Sequence, residues 1–408
     1  MQEKTPQTLG GVVTPPMKVE QTKNKKTWVV FLVFGLVFLA GGVACLLVGL
    51  LKPDAVISEL TFPKIPSSSP DAEIYSDLTG ELIASTAEKN LPTYCIQTPN
   101  GTDGARPQVG LTQAGVIFEA IAEAGITRFA AIYQEPTNAV IGPIRSLRMY
   151  YLDWDTPFDC TIVHAGGAPD AIAAVSRGGY RDLTENYSYM YRGTRGERRW
   201  NNLFTTPELL KQFNTSNGYL TSDVKGFNRM TPREARKQMV DNLTTEKLDI
   251  VKGTEKDTNE MTPKVAVINL RFGSSPTFNV KYDYDVASNK YLRSYGNGSA
   301  HEVYVCPAED MGKKDPEGIC ELKQMTPSVV IAMVVNERRA SDNYHEDITT
   351  SGSGNVVIFQ NGDVVQGTWR KDTQKDQIKF FNKEGQEVKL VPGQTFVSAI
   401  PNYGSIEY

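Results

Sequence analysis

A chain of 408 residues, 40% hydrophobic and 22% charged, has enough apolar mass for two domains that each bury a core. Its formal net charge of −4 excludes the basic surplus that a nucleic-acid-binding face needs. With three histidines, no Cys-x-x-Cys pair and no His-Glu-x-x-His, it lacks the donors of a zinc site, and no cofactor is expected.

Residues 1–27 are polar, without apolar periodicity, and read as a disordered cytoplasmic tail. Trp28 to Leu51 then runs 24 residues without a charge, enough to cross a hydrocarbon core as a helix. Lys18, Lys23, Lys25 and Lys26 precede this span, and Asp54 and Glu59 follow it. The positive-inside bias therefore places residues 1–27 in the cytoplasm and the remainder outside the cytoplasmic membrane. A cleavable signal would have a shorter apolar core. Gly42-Val43-Ala44-Cys45 faintly resembles a lipoprotein cleavage box, but the apolar run continues through Leu51. Residues 52–72, rich in Pro and Ser, read as a spacer.

The first folded domain is expected over 73–250 as an α/β layer. Leu111 to Ala124 carries Val116, Ile117, Ala120, Ile121 and Ala124 at helical spacing, with Gly125 as its cap. Ile126–Gln134 and Phe158–Ala165 read as strands, and Ala168–Ser176, Thr206–Phe213 and Thr231–Leu243 as helices. Residues 244–261 are charge-rich and read as a linker. From 262 to 408 the pattern is short β-rich segments separated by Asn-Gly, Glu-Gly and Pro-Gly turns, a mostly antiparallel domain. Cys45 lies inside the span, which leaves four cysteines outside in an oxidising compartment. Cys306 and Cys320 bracket one polar loop and are the expected bridge, with Cys95 and Cys160 pairing by elimination.

The candidate chemistry concentrates between Gly110 and Gly167. Glu119 and Glu123, four apart on the expected helix, read either as paired carboxylates for acid–base work on a glycosidic bond or as solvated charges. Glu123, beside the Gly125 turn, is the better candidate acid. Arg128, Arg145 and Arg148 offer guanidinium forks for phosphate or carboxylate, or else pair with the acids in a structural network. His164 closes a buried strand before Gly166-Gly167, a turn whose backbone N–H groups can meet an anion where a helix begins. Tyr187, Tyr189, Tyr191, Arg192, Arg198, Arg199 and Trp200 form either a polymer-contacting lip or a loop covering the sheet.

Several of these motifs carry a resemblance to a known family. Ala105-Arg106-Pro107-Gln108 with Gly110-Leu111, Glu119, Glu123-x-Gly125-Ile126-Thr127-Arg128, Gly142-Pro143-Ile144-Arg145-Ser146 with Arg148, and His164-Ala165-Gly166-Gly167 resemble the YerB-like bacterial envelope proteins. Tyr291-x-Arg293, Gly352-x-Gly354, Asn361-Gly362 and Thr368-Trp369-x-Lys371 resemble that family's C-terminal domain. The resemblance spans about residues 85–405 and implies fold and envelope location rather than an activity. Relatives carry a Pro-His-Asn element where this chain has Arg199-Trp200-Asn201-Asn202. They are often lipoproteins, whereas the anchor here reads as a transmembrane helix.

Two functions compete. In one, Glu123, Arg128, Arg145, Arg148 and His164 bind, and in its stronger form cleave, an anionic or carbohydrate cell-wall polymer. In the other, a non-catalytic scaffold docks a partner protein through the β domain. A catalytic site needs a cleft that Glu123 and His164 both reach, whereas a scaffold buries the cluster in mutual salt bridges.

Overall fold

The computed structural model describes residues 73–193, 201–245, 263–273, 275–307 and 320–408. The expected tail, membrane span and spacer lie outside the described residues, as does most of the expected linker. Among the described residues no helix is long and apolar enough to cross a membrane.

The fold is mostly β with some helices. The first half contributes β1 (Thr93–Pro99), β2 (Val116–Glu123), β3 (Ile126–Gln134), β4 (Thr161–His164) and β5 (Arg181–Thr184). Its main helices are α1 (Met149–Asp155), α2 (Pro169–Ser176), α3 (Pro207–Ser216) and α4 (Pro232–Thr245). The second half adds β6 (Val267–Arg271), β7 (Val280–Asp285), β8 (Lys290–Tyr295), β9 (Glu302–Val305), β10 (Glu321–Gln324) and β11 (Val329–Val335). It ends with β12 (Gly352–Gln360), β13 (Asp363–Lys371), β14 (Lys379–Asn382), β15 (Thr395–Pro401) and β16 (Ser405–Glu407).

Ten strands make one sheet in the order β14-β13-β12-β11-β15-β2-β3-β1-β4-β5. The two halves of the chain meet inside it, because β15 lies parallel to β2 with Thr395 opposite Val116 and Ser398 opposite Glu119. At the first-half end β1, β4 and β5 run parallel, with α2 connecting β4 to β5 as a crossover. A smaller sheet, β8-β7-β6-β16, is antiparallel throughout.

The segment expected as a helix over Leu111–Ala124 is instead a 3₁₀ turn at Leu111–Gln113 followed by strand β2. Its apolar run fits either element by periodicity, and burial on both faces decides for the strand. Phe118 and Ala120 pack with Trp154, Phe158 and Ile331 in one core cluster, while Ile117 joins Phe129, Tyr133 and Phe396 in another. The stop signal was real but belongs to a hairpin. Ala124 and Gly125 both adopt positive φ, 49° and 75°, as a two-residue turn between twisted strands requires.

The expected helices α2, α3 and α4 are present; α2 opens on Pro169 without a side-chain cap, and caps explain the starts of α3 and α4. Thr206 Oγ1 accepts from Leu209 N at 3.3 Å. Thr231 and Glu234 form a reciprocal box: Thr231 Oγ1 accepts from Glu234 N at 3.2 Å, and Glu234 Oε2 accepts from Thr231 N at 2.7 Å. Both expected disulfides form, Cys95–Cys160 and Cys306–Cys320.

Candidate functional site

Glu119 and Glu123 stand on β2 rather than on a helix, and they serve different networks. A register shift between Ile121 and Glu123 marks a bulge. Glu119 accepts from Thr127 Oγ1 at 2.9 Å, whereas Glu123 accepts from Arg128. Thr127 and Arg128 are consecutive on β3 and project to opposite faces, so the two glutamates do too.

Glu119 lies in a fully buried network that sequence reasoning did not assemble. Its Oε2 accepts from Arg293 at 2.8 Å, and neither side chain is exposed. Arg293 also donates from Nε to Tyr282 Oη at 3.1 Å and contacts His301 Nδ1. Burial works against the Arg293 charge, yet Glu119 and Tyr282 hold the guanidinium above the ordinary arginine range. Gln108 Nε2 donates to the Pro99 carbonyl, which leaves Gln108 Oε1 to accept from His301 Nε2 at 3.1 Å. The imidazole is therefore the Nε2–H tautomer, with Nδ1 accepting from Arg293. Burial, then Arg293 and Arg106, push its pKa well below the usual histidine value, in keeping with a neutral ring. A signal for this network did exist. Strand alternation places Arg293 with Tyr291 and Tyr295 on the buried side of β8.

Glu123 sits at the centre of the arginines. Its Oε1 accepts from Arg128 and its Oε2 from Arg148 at 2.5 Å, and all three residues are buried. Arg128 also donates to the Ser146 carbonyl and Arg148 to its neighbour Leu147. Burial lowers Arg128 to a pKa of about 10; Arg148 adds to this and Glu123 opposes it. Arg145 is half-buried, and its guanidinium has no hydrogen-bond partner among the described residues. Burial lowers it too, with Glu123 opposing and Arg148 reinforcing. Two guanidinium groups thus share one carboxylate, and Arg145 feels its charge without a hydrogen bond to it.

The backbone fixes Arg145 near the carboxyl ends of the parallel strands β1 and β4. Arg145 N donates to Gln97 O at 2.7 Å, and Ala165 N donates to Arg145 O at 3.0 Å. That is where ligands gather on open α/β sheets. The same pairing brings Gly166-Gly167 beside Leu147. Gly166 O accepts from Leu147 N at 2.9 Å, and a Cβ on Gly167 would lie 3.0 Å from Leu147 O. His164 is fully buried, and both ring nitrogens face oxygen acceptors at 2.7 Å, Gly166 O for Nδ1 and Asp182 Oδ1 for Nε2. Glu123 and His164 flank the 145–148 segment and do not contact each other. Among the described residues no His/Cys/Asp/Glu group has metal-holding geometry.

A hairpin of Glu337–Arg339 and Glu346–Ile348 covers the Glu123 end of β2, where His345 forms a bridge with Glu123. At its base Glu337 is buried; Tyr403 Oη donates to one oxygen at 2.7 Å, while the other has no partner. Burial, together with Glu346, raises Glu337 to a pKa of about 7. Such a group costs nothing at about pH 4, where folded and unfolded states both hold the proton. The cost grows as pH rises toward the folded value. Glu337→Gln should therefore match wild type in urea denaturation near pH 4 and exceed it at pH 8 by up to about 3 kcal/mol. An equal difference at both pH values would refute the assignment.

Sequence matches over both halves place the chain in a family. It belongs to the protein family of unknown function DUF3048, matching the N-terminal domain over residues 78–220 and the C-terminal domain over 268–397. One relative is the Bacillus subtilis (strain 168) protein named "Putative lipoprotein YerB", 24% identical over 305 residues that cover 74% of this chain and 80% of the relative. The crystal structure of the YerB protein from Bacillus subtilis has the same fold, with a TM-score of 0.63 at 21% identity, covering 82% of this chain and all of the other.

Proposed function

We propose that this chain is an envelope-anchored, non-catalytic binding protein whose ectodomain holds an anionic cell-wall polymer through Arg145. One observation carries the reading: two guanidinium groups occupy both oxygens of Glu123, and the half-buried Arg145, close enough to feel that carboxylate, has no hydrogen-bond partner among the described residues. A planar guanidinium with free donors suits the phosphate or carboxylate of a polymer. Cleavage is disfavoured because both Glu123 oxygens already accept from arginines, whereas a general acid must present a protonated oxygen to the leaving group. The envelope location is supported by the name of the relative, by the uncharged stretch 28–51 and by two disulfides, which are rare in reducing compartments.

The test is co-sedimentation of residues 60–408 with purified cell walls. Wild type should bind, with affinity falling as salt screens the contact. Arg145→Ala should weaken binding by about tenfold, the loss of one charge-assisted pair. Equal binding by Arg145→Ala removes this site from the reading. Release of soluble fragments would instead make the protein a hydrolase. A folded wild type that neither binds nor cleaves would hand the case to the partner-docking scaffold.

A further inference from the structure

Where the two halves meet, away from the arginine cluster, lies a cavity of about 400 Å³ whose lining includes Thr79, Glu81, Gln113, Glu135, Lys290 and Thr326. That is the size of small-molecule sites, roughly 300–1,000 Å³. Three charged side chains border it, and none of them has an ion pair among the described residues. Glu81 and Glu135 are exposed at the rim, and Lys290 is set deeper and half-buried. Lys290 Nζ donates to Ser328 Oγ at 2.6 Å, which leaves two of its three N–H donors unspent.

The surrounding polar groups are already committed to the fold, which makes the walls rigid. Gln113 Oε1 accepts from the backbone of Thr137 and Asn138, each at 2.8 Å. Gln394 Nε2 is directed at the carbonyls of Leu111, Thr112 and Ala114. Glu135 is held at φ 48°, a backbone region that a non-glycine residue enters at a cost of about 1 kcal/mol, and its side chain stands exposed at the rim. A ligand that satisfies this arrangement carries one anionic group for the ammonium and two cationic groups for the carboxylates.

We propose that this cavity binds a free basic amino acid, its carboxylate on Lys290 and its two amines on Glu81 and Glu135. The site contributes one positive and two negative charges, and a diamino acid contributes the reverse. The α-amine distinguishes this ligand from the C-terminal basic residue of a peptide, which keeps the carboxylate and side-chain amine but has an amide in place of the α-amine. Burial pushes the Lys290 ammonium below the usual lysine range, and a bound carboxylate should shield it from acylation.

Equilibrium dialysis of the full chain against L-lysine tests this, with glycine and Nα-acetyl-L-lysine as comparison probes. The expected result is saturable L-lysine binding at least tenfold tighter than either comparison probe. Lys290→Met and Glu135→Gln should each weaken it by tenfold or more. Glu135 lies at the exposed rim, so its variant reads binding even if Lys290→Met misfolds. Peptide mapping after acetic anhydride treatment should show Lys290 protected by L-lysine in wild type. The proposal is overturned by an absence of saturable binding up to about 10 mM, the weak end of specific affinity. It is equally overturned if both variants bind as wild type does, or if Nα-acetyl-L-lysine binds as tightly as L-lysine.

Discussion

Replacing Arg293 with methionine should lower the unfolding free energy by about 3–5 kcal/mol, the cost of orphaning a fully buried charge. Glu119 would keep only Thr127 at 2.9 Å and Asn100 at 3.4 Å as donors in a site with no exposure. The pair also joins distant parts of the chain, 174 residues apart, one on β2 and the other on β8. The double variant Glu119→Gln/Arg293→Met removes both charges, so it should be more stable than Arg293→Met alone. That non-additivity is how a coupled pair is recognised. Urea denaturation of wild type, Arg293→Met, Glu119→Gln and the double variant at pH 7 measures it. A loss below about 1 kcal/mol in Arg293→Met would mean that the pair contributes no more than an exposed one.

That network also shows where sequence reading stops. The helices starting at Thr206 and Thr231 were legible because cap residues act within three or four positions of one another, and the one after Gly167 because Pro169 suits a first helical turn. The disulfides were legible because few pairings were available. By contrast, Glu119 and Glu123 were placed on one helical face because an uninterrupted apolar run has no period that separates a helix from a strand buried on both sides. Only the partners flanking β2 decide, and one of them, β15, begins 279 residues after the start of β2. The bulge at Ile121–Glu123 then separates the two acids, a register event that no local composition announces. The Arg128, Arg145 and Arg148 grouping was legible as residues. That two of them would close on Glu123 and leave Arg145 unpaired was not, because it depends on the turn that lays residues 145–148 between β1 and β4. Lys290, Glu81 and Glu135 were beyond reach for the same reason, coming from three segments that meet only in the fold.

Removing the Cys95–Cys160 bridge is the second perturbation expected to be large. Both sulfurs are buried, and the bridge closes a segment with a sequence separation of 65, against 14 for Cys306–Cys320. Chain entropy lost from the unfolded state grows with the logarithm of loop length, which predicts about 4 kcal/mol for the first bridge and about 3 kcal/mol for the second. The first also ties β1, beside Gln97 and the Arg145 backbone, to the start of β4, whose far end carries His164. Cys95→Ala/Cys160→Ala should therefore lose wall binding along with stability. Cys306→Ala/Cys320→Ala should lose stability alone, because that bridge packs with Val109, Val140 and Phe204. Urea denaturation and co-sedimentation on the two double variants separate these effects. If Cys306→Ala/Cys320→Ala lost binding while Cys95→Ala/Cys160→Ala kept it, the polymer site would have to lie nearer the β9–β10 hairpin than Arg145.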